Sequence, residues 1–159
     1  MKNMVRKAQV DDVAAMVALS EQKRLEYQQL QPHFWRKAAD SRERQTPYFA
    51  RLVGSESCIA LVLTRDNLMD GFIMGLLIEA PPVYDPGGLT CVVDDFVVAD
   101  ANDWQIAGAA LLDEVGREAR ARGAVQTVVV CAHLDQPKRA MLLQQAGFSI
   151  ASEWHVREN

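Results

Sequence analysis

Residues 90 to 132 place the tightest limit on the fold. Thr90 to Val98 is an apolar run interrupted only by Asp94 and Asp95, and Val125 to Ala132 is a second such run. Between them Trp104, Ala107, Gly108, Leu111, Val115 and Ala119 recur at steps of three and four, with Asp113, Glu114, Arg117, Glu118 and Arg120 off that stripe. The spacing predicts an amphipathic helix over 104–122, capped at its end by Gly123. A strand, a helix and a strand of these lengths imply a parallel pair joined by a right-handed crossover. An all-helical or all-β chain is thereby excluded.

The remainder of the chain fits around that unit. Residues 4–10 read as a short strand, and Asp11 or Asp12 can cap a helix in which Val13, Met16, Val17, Ser20 and Tyr27 share a face. After Pro32 a second helix is expected from about His33 to Arg51. Cys58 to Thr64 and Gly71 to Glu79 are apolar runs flanking Arg65-Asp66-Asn67, the pattern of a β-hairpin. Pro81, Pro82, Pro86, Gly87 and Gly88 make a loop. A last helix is expected with Asp135 or Gln136 as cap and Gly147 at its end. Phe148, Ile150, Ser152, Trp154 and Val156 alternate with Ser149, Ala151, Glu153, His155 and Arg157, as in a half-buried strand. The expected architecture is one mixed α/β sheet, mostly antiparallel, with helices on both faces. At 159 residues the chain is expected to be a single domain over 1–159.

Charge and targeting narrow the function. Seventeen basic against 21 acidic side chains leave a net charge of −4, which disfavours a nucleic-acid binder. The start MKNMVRKAQVDDV lacks the apolar segment of a signal peptide, and no apolar run approaches the roughly 20 residues that cross a bilayer. A cytoplasmic protein with no membrane partner is expected. The three cysteines, Cys58, Cys91 and Cys131, lie in apolar runs and read as buried reduced thiols. His33, His133 and His155 stand apart from other ligand types, so no metal site is expected.

The stretch Gln105-Ile106-Ala107-Gly108-Ala109-Ala110 opens the helix just after a strand. Unpaired amides at a helix start, with small side chains beside them and the helix dipole behind, suit a pyrophosphate without any basic patch. Close packing of the helix on the sheet through Gly108 and the alanines is the competing reading. Neither a Walker-type phosphate loop nor a Gly-x-Gly-x-x-Gly turn is present.

With Trp104 before it, the strand 91–98 ahead and the Gly147-Phe148 pair behind, this Gln-x-x-Gly-x-Ala turn resembles the acyl-CoA-binding motif of the GNAT N-acetyltransferase superfamily. The resemblance covers nearly the whole chain by element order, and its specific part is residues 90–148. It implies a sheet splayed between the two parallel strands, with the pantetheine arm of acetyl-CoA, the cosubstrate, in the gap. It also implies backbone contacts to that arm from Phe96, Val97 and Val98, and pyrophosphate contacts from the amides of Gln105, Ile106, Ala107, Gly108, Ala109 and Ala110. Gln136 and Arg139 are candidates for the nucleotide end. The loop 98–105 is somewhat longer than the family's usual version. Leu143 stands where the family often has a tyrosine that protonates the departing thiolate.

Acyl transfer to an amine needs a group that removes the amine's proton. Asp94 and Asp95 are the candidates, two carboxylates set among valines, of which adjacent strand geometry lets at most one face the cleft. His133, at the end of a parallel strand, is next. Phe34, Trp35, Tyr48, Phe49 and Tyr84 are candidate walls of an acceptor pocket. The expected activity is direct acetyl transfer from acetyl-CoA to a primary amine of a small molecule or peptide, with a homodimer among the expectations. The alternative is a non-catalytic GNAT-like domain that binds CoA or regulates.

Overall fold

Five strands form one sheet in the order β1 (Met4–Lys7), β2 (Cys58–Arg65), β3 (Leu68–Ile78), β4 (Leu89–Val98), β5 (Ala124–Val129). The first three pairings are antiparallel and β4–β5 is parallel, as the crossover requires. The description comes from a computed structural model and covers residues 4–132 and 136–159. Helices α1 (Val13–Leu30) and α2 (Ser41–Val53) cover one face, and α3 (Ala109–Ala121) and α4 (Gln136–Gln145) the other.

Alternation along β2 shows how the layers form. Ile59, Leu61 and Leu63 pack with Leu111, Leu112, Val115 and Ala119 of α3, while Cys58, Ala60 and Val62 pack with Val13, Met16 and Val17 of α1 and Phe49 and Val53 of α2. From Cys58 to Leu63 the strand is buried on both faces, which is why that stretch is apolar without a break. Burial of each large side chain contributes about 1.5–3 kcal/mol. Burial also pushes the Cys58 and Cys91 thiols up to about 11, so both are protonated at neutral pH. Between β2 and β3, Asp66 and Asn67 both adopt positive φ, 51° and 65°, the hairpin geometry that short Asx side chains tolerate.

A bulge in β4 decides the orientation of its carboxylates. Gly75 lies opposite Val93 and Met74 opposite Asp95, which leaves Asp94 as the extra residue. Cys91 and Val93 before it, and Phe96 and Val98 after it, all join the α3 core. Regular alternation would have put Asp95 in that same core. With the bulge, Asp95 shares the α1/α2 side with Val97 and its partner Met74.

Several sequence expectations are corrected. Residues 33–40 are not helical: the Lys37 N–H donates to the Gln28 side chain at 2.7 Å and its ammonium meets Glu21 at 2.6 Å, folding the segment back on α1. Glu21, held far down at about 2 by hydrogen bonds from Lys37, Ser41 and Arg24, ties the two helices together. Strand β5 stops at Val129, so Cys131 is exposed rather than buried. The tail after Phe148 forms no strand, and Ile150 and Trp154 are 83% and 81% exposed. Its backbone joins no ladder; instead Trp154 meets Phe34 edge-on at 6.2 Å and Glu158 meets His33 at 3.3 Å.

Candidate active site

The β4–β5 ladder runs from Leu89 opposite Ala124 to Val93 opposite Val129, and ends with Val130 N–H donating to Val93 C=O at 2.8 Å. Strand β4 continues to Val98, and among the described residues no strand pairs with its β5-side edge beyond Val93. The Phe96 carbonyl points into this opening, where it accepts from Arg139, whereas the Ala99 N–H turns the other way and donates to Asp70 on the β3 side at 2.6 Å. By alternation the backbone groups of Phe96 and Val98 face the opening and those of Val97 face β3. Of Phe96, Val97 and Val98, the three residues expected to contact the arm, Val97 thus turns its backbone groups away from the opening.

The entry into α3 is not the regular α-helical start its sequence suggests. Asp100 accepts from the Asn102 N–H at 2.8 Å to start a 3₁₀ turn over Ala101–Asp103, and Trp104–Gly108 then winds as a single π turn. Such a wide turn places Trp104 and Ala107 wholly inside, with Phe96 edge-on to the Trp104 ring at 4.9 Å. Gly108 is buried as well. A Cβ there would lie 2.7 Å from the Trp104 ring and 3.0 Å from Leu142 of α4, so the glycine permits close helix packing and leaves no room for a ligand. The Ala109 amide is also taken, donating to the carbonyls of Trp104 and Ile106. Of the six residues assigned to a pyrophosphate, Gln105 and Ile106 are exposed and Ala109 and Ala110 half-buried. Gln105 donates to the Lys138 carbonyl at 3.2 Å, and Lys138 to Asn102 at 2.5 Å, fastening α4 to the rim of the turn.

Asp94 is exposed at the bulge. Asp95 is pushed up to about 6, chiefly by burial and further by the neighbouring Asp94, while Arg24 of α1 pulls it down. Arg24 is itself held by Glu21 at 3.0 Å and Gln45 at 2.7 Å. A carboxyl that changes charge close to neutrality, on the strand that bounds the opening, is matched to taking a proton from an amine.

Arg139, which the resemblance offered for a nucleotide's far end, lies elsewhere. It is 3% exposed, reaches from α4 across the opening, and donates to the Phe96 carbonyl and to the Tyr27 hydroxyl, each at 3.3 Å. Its guanidinium also sits 4.4 Å over the Trp104 ring. Gln136 begins α4, and His133 lies outside the described residues. Leu143 packs against the α3 core.

The candidate pocket aromatics separate. Phe49 is core, Tyr48 lies under the Arg51 guanidinium, and Tyr84 lines a separate hollow with Pro81, Pro86 and Gln126. Phe34 and Trp35 stay together and join Tyr27, whose ring is 5.4 Å from that of Trp35. The sequence stripe presented Tyr27 only as part of a buried helix face. Nothing in its spacing signalled a place at the opening, because the partner that brings it there is 112 residues away.

No protein-family model and no curated protein matches the sequence. Solved structures do match over their whole length. A predicted acetyltransferase of Clostridium acetobutylicum, solved with acetyl-CoA, superposes at a TM-score of 0.76 with 18% identity, covering 99% of this chain and 96% of that one. The ribosomal-protein-alanine N-acetyltransferase of Brucella melitensis biovar Abortus 2308 gives 0.65 at 20%, covering 99% and 100%. A transcriptional regulator of Bacillus halodurans C-125 gives 0.71 at 14%, covering 99% and 100%. The chain therefore has the GNAT-like fold: a mixed, mostly antiparallel sheet with one parallel pair and helices on both faces. No helix among the described residues is long and apolar enough to cross a membrane.

Proposed function

We propose that this chain is a GNAT-type N-acetyltransferase that uses acetyl-CoA and a primary amine of a small molecule or peptide. The observation that carries the reading is the β4 edge at Phe96 and Val98, with which no described strand pairs, opening beside a helix entry and a carboxylate of raised pKa. Extended ligands with amide groups bind to such an edge as a strand would. The exposed start of the turn at Gln105 and Ile106, with the α3 dipole behind it, suits the diphosphate.

In this reading Asp95 accepts the proton of the acceptor amine, directly or through a water. The amine nitrogen attacks the thioester carbonyl, whose oxygen takes the developing charge beside a β4 amide at Phe96 or Val98. The C–S bond then breaks and the thiolate departs. Leu143 has no proton to give, so water protonates the sulfur, which a thiol pKa of about 8.5 allows. No covalent intermediate on the protein is needed. A positioned acid contributes about 10²- to 10⁴-fold, so turnover is slow for a GNAT enzyme, and Leu143→Tyr raises it if the hydroxyl reaches the sulfur.

The test of the binding half is Ile106→Glu. Ile106 is 61% exposed, so the change leaves the melting temperature within a degree or two, while its carboxylate opposes the diphosphate. Calorimetry is expected to show acetyl-CoA binding weakened by at least about tenfold. Unchanged affinity sinks the phosphate assignment. Leu143 also supports the second reading, a CoA-binding domain without turnover. That reading is chosen if acetyl-CoA raises the melting temperature but no amine in a broad panel releases free CoA.

A further inference from the structure

We infer that Arg139 is a plug in the β4–β5 opening, and that the thioester arm must displace it before the amine can react. This rests on the acyl-CoA reading above and adds a control to it. Arg139 is buried on a helix whose neighbouring Pro137, Lys138, Ala140 and Met141 are all exposed, so its side chain is drawn inward past the surface that α4 otherwise presents. Its guanidinium engages, among its partners, the Phe96 carbonyl on β4, the Tyr27 hydroxyl on α1 and the Trp104 ring at the π turn.

The first of these contacts is the decisive one. The Phe96 carbonyl is one of the edge acceptors that an inserted amide needs, and the guanidinium occupies both that acceptor and the space in front of it. A long, planar cation lying over Trp104 and a pantetheine chain cannot share that edge. Two arrangements follow: Arg139 inward, with α4 tied to β4 and α1, and Arg139 outward, with the edge free. Only the second binds acyl-CoA, so the observed affinity is the intrinsic one reduced by the fraction of molecules with Arg139 outward. Tyr27 stands with Trp35 and Phe34, so release of Arg139 also frees the Tyr27 hydroxyl from this contact.

The experiment uses the full chain with CoA and acetyl-CoA as probes. Arg139→Ala is expected to bind CoA at least about tenfold more tightly than the parent by calorimetry. Should that variant fold poorly, the parent itself decides. Ring current from Trp104 shifts the Arg139 side-chain proton resonances, assigned by their loss in Arg139→Lys, and saturating CoA must move them toward ordinary arginine positions. Equal or weaker binding by a folded Arg139→Ala, or resonances that stay put at saturation, overturns the plug. If the parent binds CoA and Ile106→Glu loses it while both Arg139 tests are negative, the plug alone falls. If neither the parent nor Arg139→Ala binds CoA, the acyl-CoA reading falls and the plug with it.

Discussion

Asp95→Asn is expected to lower turnover by about 10²- to 10⁴-fold at neutral pH, the usual contribution of a positioned base. Because Asp95 is held at about 6, the parent's rate is expected to rise as pH passes through that value, and the variant should lack this limb. Part of the loss should return at high pH, where the free amine needs no base. The same substitution changes stability. Between the ordinary carboxylate value of 3.8 and about 6, the folded chain retains a proton that the unfolded chain has released, so stability falls as pH rises across this window. Asparagine removes that dependence and should make the variant more resistant to urea at pH 8 than the parent. Asp94→Asn, at the exposed bulge, removes the lesser of the two upward pushes on Asp95, so both profiles are expected to keep their shape and move to lower pH. A pH–rate profile for Asp95→Asn that parallels the parent's would place the base elsewhere, with His133 the next to substitute.

Gly108→Glu is expected to abolish folding rather than ligand binding. The new Cβ alone would meet the Trp104 ring at 2.7 Å and Leu142 at 3.0 Å, and the carboxylate would follow it into a sealed apolar layer. Overpacking of a core typically costs about 1–3 kcal/mol, and burying an unpaired charge adds several more. Together these approach the 5–15 kcal/mol that holds a domain of ordinary stability. Circular dichroism and urea titration check this directly. Comparison with Ile106→Glu, two residues earlier on the exposed side, separates the two roles within one turn. A Gly108→Glu protein that melts like the parent yet fails to bind acetyl-CoA would show that the glycine faces the ligand after all.

The sequence by itself determined the crossover unit, the hairpin and the layered architecture. Periodicity is a local property: the stripe from Trp104 to Ala119 and the unbroken apolar β2 each state which face is buried, and the length between strands leaves one handedness. The Gly147 cap was legible for the same reason, and its two hydrogen bonds, from Gly147 N–H to Gln144 and from Phe148 N–H to Leu143, close α4 as the motif requires. The strand pattern at the tail was equally legible, but a strand needs a partner edge, and pattern alone does not supply one.

Only the tertiary structure decided which of the two carboxylates turns inward. A single extra residue at Asp94 reverses the face of everything after it, and a bulge leaves no trace in hydrophobic alternation when both faces of the strand are buried. It also decided the fate of the small residues at 107 to 109. The space at Gly108 is set by Trp104 and by Leu142 of α4, and the Ala109 amide is claimed by a π turn in place of an α-helical start. Arg139 is the clearest case. The family resemblance offered it for the nucleotide end, whereas its place is fixed by a carbonyl 43 residues away and a phenol 112 residues away, distances over which no local pattern can speak.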